Sequence, residues 1–505
     1  MTHPPTAPIA LDAATARAWW STPTVTVDET TLDALRATGA TVDITHANRA
    51  EASRDWWPLV MTRAARGEVG QLASAVVRPT QAAQVSAVLA VCDRARVPVT
   101  AAGGRSGVMG GAIPLFGGIV LDLTDLRGIR SVDVESGIVD VACGTFGDEL
   151  EDELRTSHGL TIGHWPQSIA LATVGGWLAC RGAGQLSNRY GTSGEIVVGL
   201  DAVLADGTEL TTGGWSHRST GPDLQQLLVG SEGTLAVLTG ARLLARPAPT
   251  ATWRGAWAFP SFADGAEVCR RIARRGPSPA ALRLYDAAEA DRHWQTGDVA
   301  VLLAFDEGDE ATVALGRRLT EEECGAARRL DDDLVDRWWG HRNDVSALEA
   351  LVSRGYMVDT LELTARWRDV PALYVTVRDA IAAVPGVISS TSHLSHSYPD
   401  AACLYFTFAG RPADTDDPDA VARLSIDAWN AGTDVALAGG ASLSHHHGIG
   451  LARARFMGRA LGDGALEALG RIKQALDPNG ILNPGKLGLP SAFGAIPTLL
   501  DGDHR

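Results

Sequence analysis

The sequence lacks several features that would place it in common protein classes. Its 505 residues include 44 lysines and arginines against 60 aspartates and glutamates, a formal net charge of −16. Phosphate backbones are bound by basic surfaces, so this balance argues against a nucleic-acid partner. No long apolar run is present, and the N-terminus lacks the basic-then-apolar pattern of a signal peptide. We therefore expect a cytoplasmic protein without a transmembrane segment.

Cysteine is scarce and scattered. The six cysteines form no CxxC pair, and no HExxH motif occurs. A disulfide scaffold, a zinc ribbon and a zincin-type metal centre are therefore disfavoured, and the composition suits a reducing compartment.

Hydrophobic residues make up 45% of the sequence, which is enough to form an ordered core. At this length more than one domain is expected. AVVRPT reads as a strand stopped by Pro79, and apolar residues then recur with helical spacing from Val85 to Cys92. VPVTAA and GIVLDL read as two more strands on either side of a glycine-rich turn. This βαβ unit, followed by further strands, predicts an α+β domain that extends to about Arg246.

The second half of the chain begins at a proline-rich linker, RPAPTATW. ALRLYD and CLYFTF read as strands, and ALEALGRIKQALDP reads as a helix. VARLSIDAWNAG reads as a helix that ends at its glycine, Gly432.

Three glycine-rich segments lie in the first half. They are GGRSGVMGG, the stretch from Gly163 to Gly191 that begins GHWPQS, and VGSEGTLAVLT. Glycine lets backbone N–H groups approach a pyrophosphate closely. The first segment is not the G-x-G-x-x-G of a nicotinamide site. Three such turns in one domain indicate a long ligand, which a dinucleotide fits better than a single phosphate.

These segments, in this order and with NPGKLG near the end, resemble the FAD-binding domain of the vanillyl-alcohol oxidase (PCMH-type) flavoprotein superfamily. The resemblance implies an α+β fold: a PCMH-type FAD-binding domain of two subdomains, plus an α+β cap domain with a central antiparallel sheet. The domains implied are an N-terminal helical segment (1–68), the FAD-binding domain (69–246), the cap or substrate domain (247–435) and a C-terminal segment that returns to the FAD domain (436–505).

The resemblance also assigns cofactor-binding residues. They are Ala101, Ala102, Gly103, Gly104, Arg105, Ser106 and Gly107; Gln167, Ser168, Ile169, Ala170, Leu171, Ala172 and Thr173; Cys180, Arg181, Gly182 and Ala183; and Gly230, Ser231, Glu232, Gly233, Thr234, Leu235 and Ala236. Many relatives attach FAD through a histidine or cysteine of the first loop. This loop has neither, so we expect noncovalent FAD. Arg105 departs from the family pattern, which usually has glycine at that position. Gln167 stands where the synthase members of the family have aspartate.

The stretch SLSHHHGIG, Ser442 to Gly450, admits three interpretations. It could be an exposed polar loop. It could supply metal ligands, with His393 and His396 of HLSH as partners, although adjacent residues in an extended chain point to opposite sides. It could also perform acid–base catalysis, because histidine changes charge near neutral pH.

Within the superfamily the sequence most resembles the alkyldihydroxyacetonephosphate synthases, in GHWPQS, TVGGWLACR, RLYD, CLYFTF and SHHHGIG. This resemblance favours acid–base catalysis without a metal ion. The catalytic residues that it implies are Tyr405, His445, His446, His447 and Arg283.

The implied function is a synthase-like flavoenzyme that activates a substrate carbon at flavin N5 with Tyr/His proton transfer. The alternative is an FAD-linked oxidase or dehydrogenase of a hydroxy acid or alcohol. We expect a small-molecule substrate that is anionic or bears a carbonyl or hydroxyl group, and a homodimer is left open. The substrate-binding arginine of the synthases falls on Leu348 here, with Arg342 and Arg354 nearby, so the substrate itself is not fixed by the resemblance.

Overall fold

A computed structural model describes residues 9–345, 347–414 and 417–497 of the chain. The outer parts of the predicted first and last segments, 1–8 and 498–505, lie outside the described residues. None of the helices in the described ranges is long and apolar enough to cross a membrane.

Three sheets carry the architecture of the described chain, named here sheets A, B and C. Sheet A has four strands in the order Thr41–Asp43, Ala75–Arg78, Ile119–Asp122, Val99–Ala102. Sheet B has five, in the order Glu209–Gly213, Val197–Val203, Val237–Leu244, Ile138–Ala142, Ile129–Asp133. Sheet C has seven, in the order Arg328–Leu330, Ala251–Phe259, Ala300–Gly308, Ala281–Tyr285, Val387–Ser397, Ala401–Gly410, Met357–Arg366. Two short pairs join Arg17–Ala18 to Glu68–Val69 and Leu160–Thr161 to Arg246–Pro247.

Helices connect and cover these sheets. They span Glu29–Arg36, His46–Ala52, Pro58–Ala64, Ala82–Ala95, Gly147–Glu153, Val174–Ala179, Ser187–Tyr190, Ser193–Ile196, Leu224–Leu228, Phe262–Arg275, Ala287–Trp294, Glu310–Cys324, Asp333–His341, Ala347–Val352, Val370–Ala382, Pro418–Ala438, Met457–Leu461 and Asp463–Leu476. A π-helical turn at Leu154–His158 and a 3₁₀ turn at Ala454–Phe456 complete the set described.

Sheet A contains the predicted βαβ unit. Three of its four strands run parallel, namely Ala75–Arg78, Ile119–Asp122 and Val99–Ala102, with helix Ala82–Ala95 as the crossover. The helix begins in a capping box between Gln81 and Gln84. The apolar positions read from the sequence are its buried face, packed on the strands. The glycine-rich turn therefore starts at the carboxyl end of a parallel strand.

Sheet C is the predicted central antiparallel sheet, and all its strand pairings are antiparallel. Alternate residues point to opposite faces. One face is apolar and packs against helices Phe262–Arg275, Val370–Ala382 and Pro418–Ala438. The opposite face turns toward the glycine-rich half of the chain, where Leu186 and Tyr190 pack on it.

The prediction that a helix ends at Gly432 is wrong. Helix Pro418–Ala438 continues through that glycine. A Cβ at Gly432 would lie 2.9 Å from the side chain of Ile381 on helix Val370–Ala382. The glycine therefore serves close packing between two helices rather than helix termination.

Candidate active site

A row of polar residues crosses the face of sheet C that is turned toward the glycine-rich half of the chain. Glu362 pairs directly with Tyr405, Tyr405 with His393, and His393 with Tyr285, each on a neighbouring strand. Directly paired residues project on the same side of a sheet, so the four side chains form a continuous line. Arg283 precedes Tyr285 by two positions on the same strand and shares this face.

Glu362 organises the histidine loop. It is 0% exposed and accepts hydrogen bonds from the backbone N–H groups of His445 (2.6 Å) and His447 (2.7 Å). Arg453, also fully buried, donates to the same carboxylate at 2.9 Å. The backbone N–H of His446 completes the set at 3.3 Å. The stretch is therefore a loop wrapped around a buried carboxylate, neither a strand nor an exposed tail.

Burial and the ion pair between Glu362 and Arg453 determine the charge of the ionisable groups at this loop. Burial alone would raise the pKa of Glu362, but Arg453 and the neighbouring histidines hold it well below its usual range. Burial lowers the pKa of His447 to about 4 despite the opposing effect of Glu362. His447 is therefore neutral at pH 7 and available to accept a proton.

Tyr405 lies between His393 and the histidine loop. Its ring stacks on His393 at 4.9 Å and meets His447 edge-on at 5.5 Å between centroids. Its hydroxyl donates to Thr360 Oγ1 at 3.2 Å. Burial raises the pKa of Tyr405, so the phenol stays protonated at neutral pH. Tyr405 and His447 are therefore in ring contact, without a direct hydrogen bond between their side chains.

His445 and His446 face a different neighbourhood. His445 Nε2 lies 2.8 Å from the Tyr398 hydroxyl, and its Nδ1 lies 2.8 Å from His446 Nδ1. The expectation that adjacent histidines point apart is thus wrong here, because the loop is not extended. Together with His396 and Cys403, these two imidazoles form a group whose potential ligand atoms all lie within 4.8 Å of one another. The absence of a catalytic metal therefore stays a prediction that needs a direct test.

Arg283 lies at the Tyr285 end of the row of polar residues on sheet C. Its Nε donates to the Tyr285 hydroxyl at 2.9 Å, and one terminal nitrogen lies 2.7 Å from His393 Nε2. His393 Nδ1 lies 3.0 Å from Glu289. Among the described residues no carboxylate is within ion-pair distance of Arg283, which is 9% exposed.

The other two arginines near the lost synthase position lie elsewhere. Arg342 donates to the Trp339 carbonyl and stacks on the Trp339 ring, 3.6 Å from its centroid. Arg354 is exposed at the end of helix Ala347–Val352, which carries Leu348. Leu348 lines a small, mainly apolar crevice with Leu59.

The four predicted cofactor segments converge. A Cβ on Gly104 would lie 1.7 Å from the Leu171 carbonyl oxygen, and one on Gly103 would lie 2.2 Å from Thr173 Oγ1. The first loop is therefore packed against the second segment with room for glycine only. At Gly107, by contrast, nothing lies within 4 Å of that position. This open side of a glycine cradle fits a pyrophosphate-bearing cofactor.

The third and fourth segments close the same region. Gly233 packs against Ala101, and Gly230 packs against Arg181. The side chain of Glu232, a predicted cofactor-binding residue, accepts hydrogen bonds from the backbone N–H groups of Ile449 (2.6 Å) and Gly450 (2.7 Å). Its side chain thus ties a cofactor loop to the histidine loop.

The two departures from the family pattern have structural counterparts. Arg105 has φ of 55°, a left-handed conformation that glycine adopts more readily than arginine. Here the side chain compensates with an ion pair to Asp122 at 3.2 Å. Gln167 is exposed.

Four residues of this site are not indicated by the sequence. They are Glu289, Glu362, Tyr398 and Arg453. Glu362 carries no readable signal, because it falls at a polar position of the strand alternation in MVDTLELTA. His393 was considered only as a metal ligand. Nothing local marks Arg453, because its partner lies 91 residues away.

The fold and this site define a flavoprotein of the PCMH, or vanillyl-alcohol oxidase, type. Residues 73–213 match the family model of an FAD binding domain, and residues 248–487 match the C-terminal domain of FAD linked oxidases. Together the two models match more than half of the chain. The chain is a PCMH-type flavoprotein, its cofactor is FAD, and it is an FAD-dependent enzyme of an oxidoreductase family.

Individual relatives differ in activity. The chain is 28% identical to alkyldihydroxyacetonephosphate synthase of Trypanosoma brucei brucei over 87% of this chain and 76% of the relative. It is 34% identical to D-lactate dehydrogenase of Archaeoglobus fulgidus, over 51% of this chain and 58% of the relative. A crystal structure of an alkyldihydroxyacetonephosphate synthase superposes with a TM-score of 0.76 at 21% identity, covering 96% of this chain and 89% of the other.

Proposed function

We propose that this chain catalyses a synthase-like reaction in which a substrate carbon is activated against FAD while Tyr405 and His447 move protons. The observation that carries the proposal is the face of sheet C that bears Tyr405 and Arg283, where His447 of the histidine loop meets the Tyr405 ring. Bound FAD supplies an electron-accepting ring system; the protein positions the substrate and handles its protons.

His447 is the proposed base. Its Nδ1 is buried without a hydrogen-bond partner and lies 3.5 Å from the Glu362 carboxylate. A proton taken by this imidazole would create a cation beside a buried anion, which stabilises the charged product of the transfer. Tyr405, which stays protonated, is the proposed donor at the neighbouring position.

Arg283 is the proposed anchor for an anionic substrate group. A buried guanidinium without a direct carboxylate partner is available for two-point binding of a carboxylate or phosphate. Loss of the synthase arginine at Leu348 leaves Arg283 as the stronger candidate for this contact.

A second function, dehydrogenation of a hydroxy acid at the same site, is favoured by that unpaired cation and by the D-lactate dehydrogenase relative. Both reactions need a base and an anion anchor, but only dehydrogenation reduces the flavin. Anaerobic addition of candidate substrates separates them. Exchange of an acid for an alcohol without loss of flavin colour supports the synthase-like reaction, and bleaching by a hydroxy acid supports the dehydrogenase.

Tyr405→Phe and His447→Ala test the proton-transfer roles. A general acid or base typically contributes about 10²–10⁴-fold, so each variant should lose turnover in that range while remaining folded and yellow. If the two act as a unit, the double variant should lose much less than the product of the single losses. Full additivity, or unchanged turnover in either single variant, would argue against the pair.

Chelation is the test of the metal-free interpretation. Treatment with EDTA, followed by desalting, should leave turnover unchanged. If chelation abolishes turnover and zinc restores it, the group around His396, Cys403, His445 and His446 is a metal centre and the acid–base interpretation of the histidines is wrong.

A further inference from the structure

Arg283 is held by a neutral imidazole rather than by a carboxylate. An arginine side chain can only donate, so His393 Nε2 must accept from it at 2.7 Å. The proton of a neutral His393 is then on Nδ1, which donates to Glu289 at 3.0 Å. A carboxylate can only accept, so Glu289 fixes this tautomer.

The ring of His393 is also fixed by packing. It lies between the Tyr285 and Tyr405 rings, 4.9 Å from each centroid. His393 is 6% exposed and Glu289 is 3% exposed, so water does not compete for these bonds. The ring therefore acts as a rigid spacer that keeps the counter-charge of Glu289 away from the guanidinium.

We propose that Glu289 is a positioning residue that acts through His393 to aim Arg283 as an unneutralised cation toward the substrate. A direct Glu–Arg pair would cancel the charge that an anion has to find, whereas the imidazole bridge orients the guanidinium and leaves its outer N–H groups free. This inference rests on the anion-binding role of Arg283 in the proposed function, but not on which reaction follows.

Inorganic phosphate is a suitable probe, because its binding can be measured without turnover. The FAD-loaded protein is titrated with phosphate, and binding is followed by flavin absorbance and by the fluorescence of tryptophan, since Trp338 lies 5.4 Å from the Arg283 guanidinium. Wild-type protein should bind phosphate, and Arg283→Lys should weaken binding because lysine cannot form a two-point contact.

Glu289→Gln gives opposite results under the two accounts of this residue. Removing a nearby negative charge should tighten phosphate binding if Glu289 contributes charge alone. If Glu289 positions Arg283, an amide that can donate as well as accept no longer fixes the tautomer of His393, and binding should weaken by about tenfold. Glu289→Asp should recover part of the loss, and Glu310→Gln, on an exposed helix start, is the matched control.

His393→Phe provides a second route if Glu289→Gln does not fold. Phenylalanine keeps the stack between two tyrosines but cannot accept from Arg283, so phosphate binding should weaken to a similar extent. Because Glu289 acts through His393, the double variant should bind no more weakly than His393→Phe alone. Equal or tighter binding in Glu289→Gln, additive losses in the double variant, or no phosphate binding by the wild type would overturn the inference. Failure of the proposed reaction alone, with this binding pattern intact, would leave it standing.

Discussion

At the scale of single residues, the site is governed by one buried carboxylate. Glu362 accepts from the backbone of the histidine loop and from Arg453, and Glu362 and Arg453 are both fully buried. A buried charge that loses its partner is costly, whereas an exposed ion pair is worth little. The position of His447 therefore depends on Glu362 more than on any contact of its own ring.

Glu362→Gln tests this dependence. The amide removes the charge that balances Arg453 and presents N–H groups to backbone donors, so we expect a loss of about 3 kcal/mol or more in the free energy of unfolding. Glu467→Gln is the control, because it removes an ion pair whose glutamate side chain is 64% exposed. Thermal unfolding of both variants gives the comparison. Equal, small shifts would show that Glu362 does not organise the loop.

At the scale of elements, the cofactor loops pack on one another through close backbone contacts, and the Glu232 side chain joins them to the histidine loop. The tightest contact is that of Gly104 with the Leu171 carbonyl. Because the obstacle there is backbone, it cannot rotate away as a flexible side chain would.

Gly104→Ala should therefore separate the first cofactor loop from the second segment. We expect a large loss of bound FAD, measured as the ratio of flavin to protein absorbance after purification, together with a lower unfolding temperature. Gly340→Ala adds the same methyl group at a helical position with nothing within 4 Å. A Gly104→Ala protein with wild-type flavin content would contradict the assignment of this loop to the cofactor.

Much of this element-level organisation could be predicted from the sequence. The βαβ unit follows from hydrophobic spacing and turn residues, and the glycine segments follow from their composition. The row of polar residues across sheet C could not be predicted, because the register between strands depends on long-range pairing. Glu362 and Tyr405 are 43 positions apart in sequence, and no local pattern states that they are direct neighbours. The domain boundaries stay a prediction, although Thr41–Asp43 from the N-terminal segment pairs within sheet A.

At the scale of the whole molecule, acid stability should reflect the buried neutral histidines. Burial lowers the pKa of His164 to about 3, and its ring, tilted against Trp177, has no hydrogen-bond partner at either nitrogen among the described residues. The unfolded chain binds a proton near pH 6.5 and the folded chain does not. Stability from such a group is therefore present above about pH 6.5 and is lost as the pH falls toward about 3.

His164→Phe removes one such group while keeping an aromatic ring on Trp177. The free energy of unfolding, measured by denaturant titration, should differ less between pH 7 and pH 5 in this variant than in the wild type. One proton accounts for up to about 1.4 kcal/mol per pH unit. His217→Phe, at an exposed loop position, should leave the difference unchanged. If His164→Phe also leaves it unchanged, His164 does not contribute to acid unfolding.

The whole molecule also determines how FAD is retained. The first cofactor loop offers no histidine or cysteine for attachment, and burial raises the pKa of the Cys180 thiol to about 12, so the second segment offers no thiolate nucleophile at neutral pH. Cofactor binding would then depend on the folded arrangement of sheets A and B around the glycine segments. Precipitation with acid destroys that arrangement without cleaving carbon–nitrogen or carbon–sulfur bonds. We expect the yellow colour to remain in the supernatant, where its absorbance and mass identify FAD, and the protein recovered from the pellet to have the mass of the unmodified chain. Yellow colour in the pellet, with a protein mass increased by one FAD, would show a covalent bond and would direct the search to histidines outside the first loop.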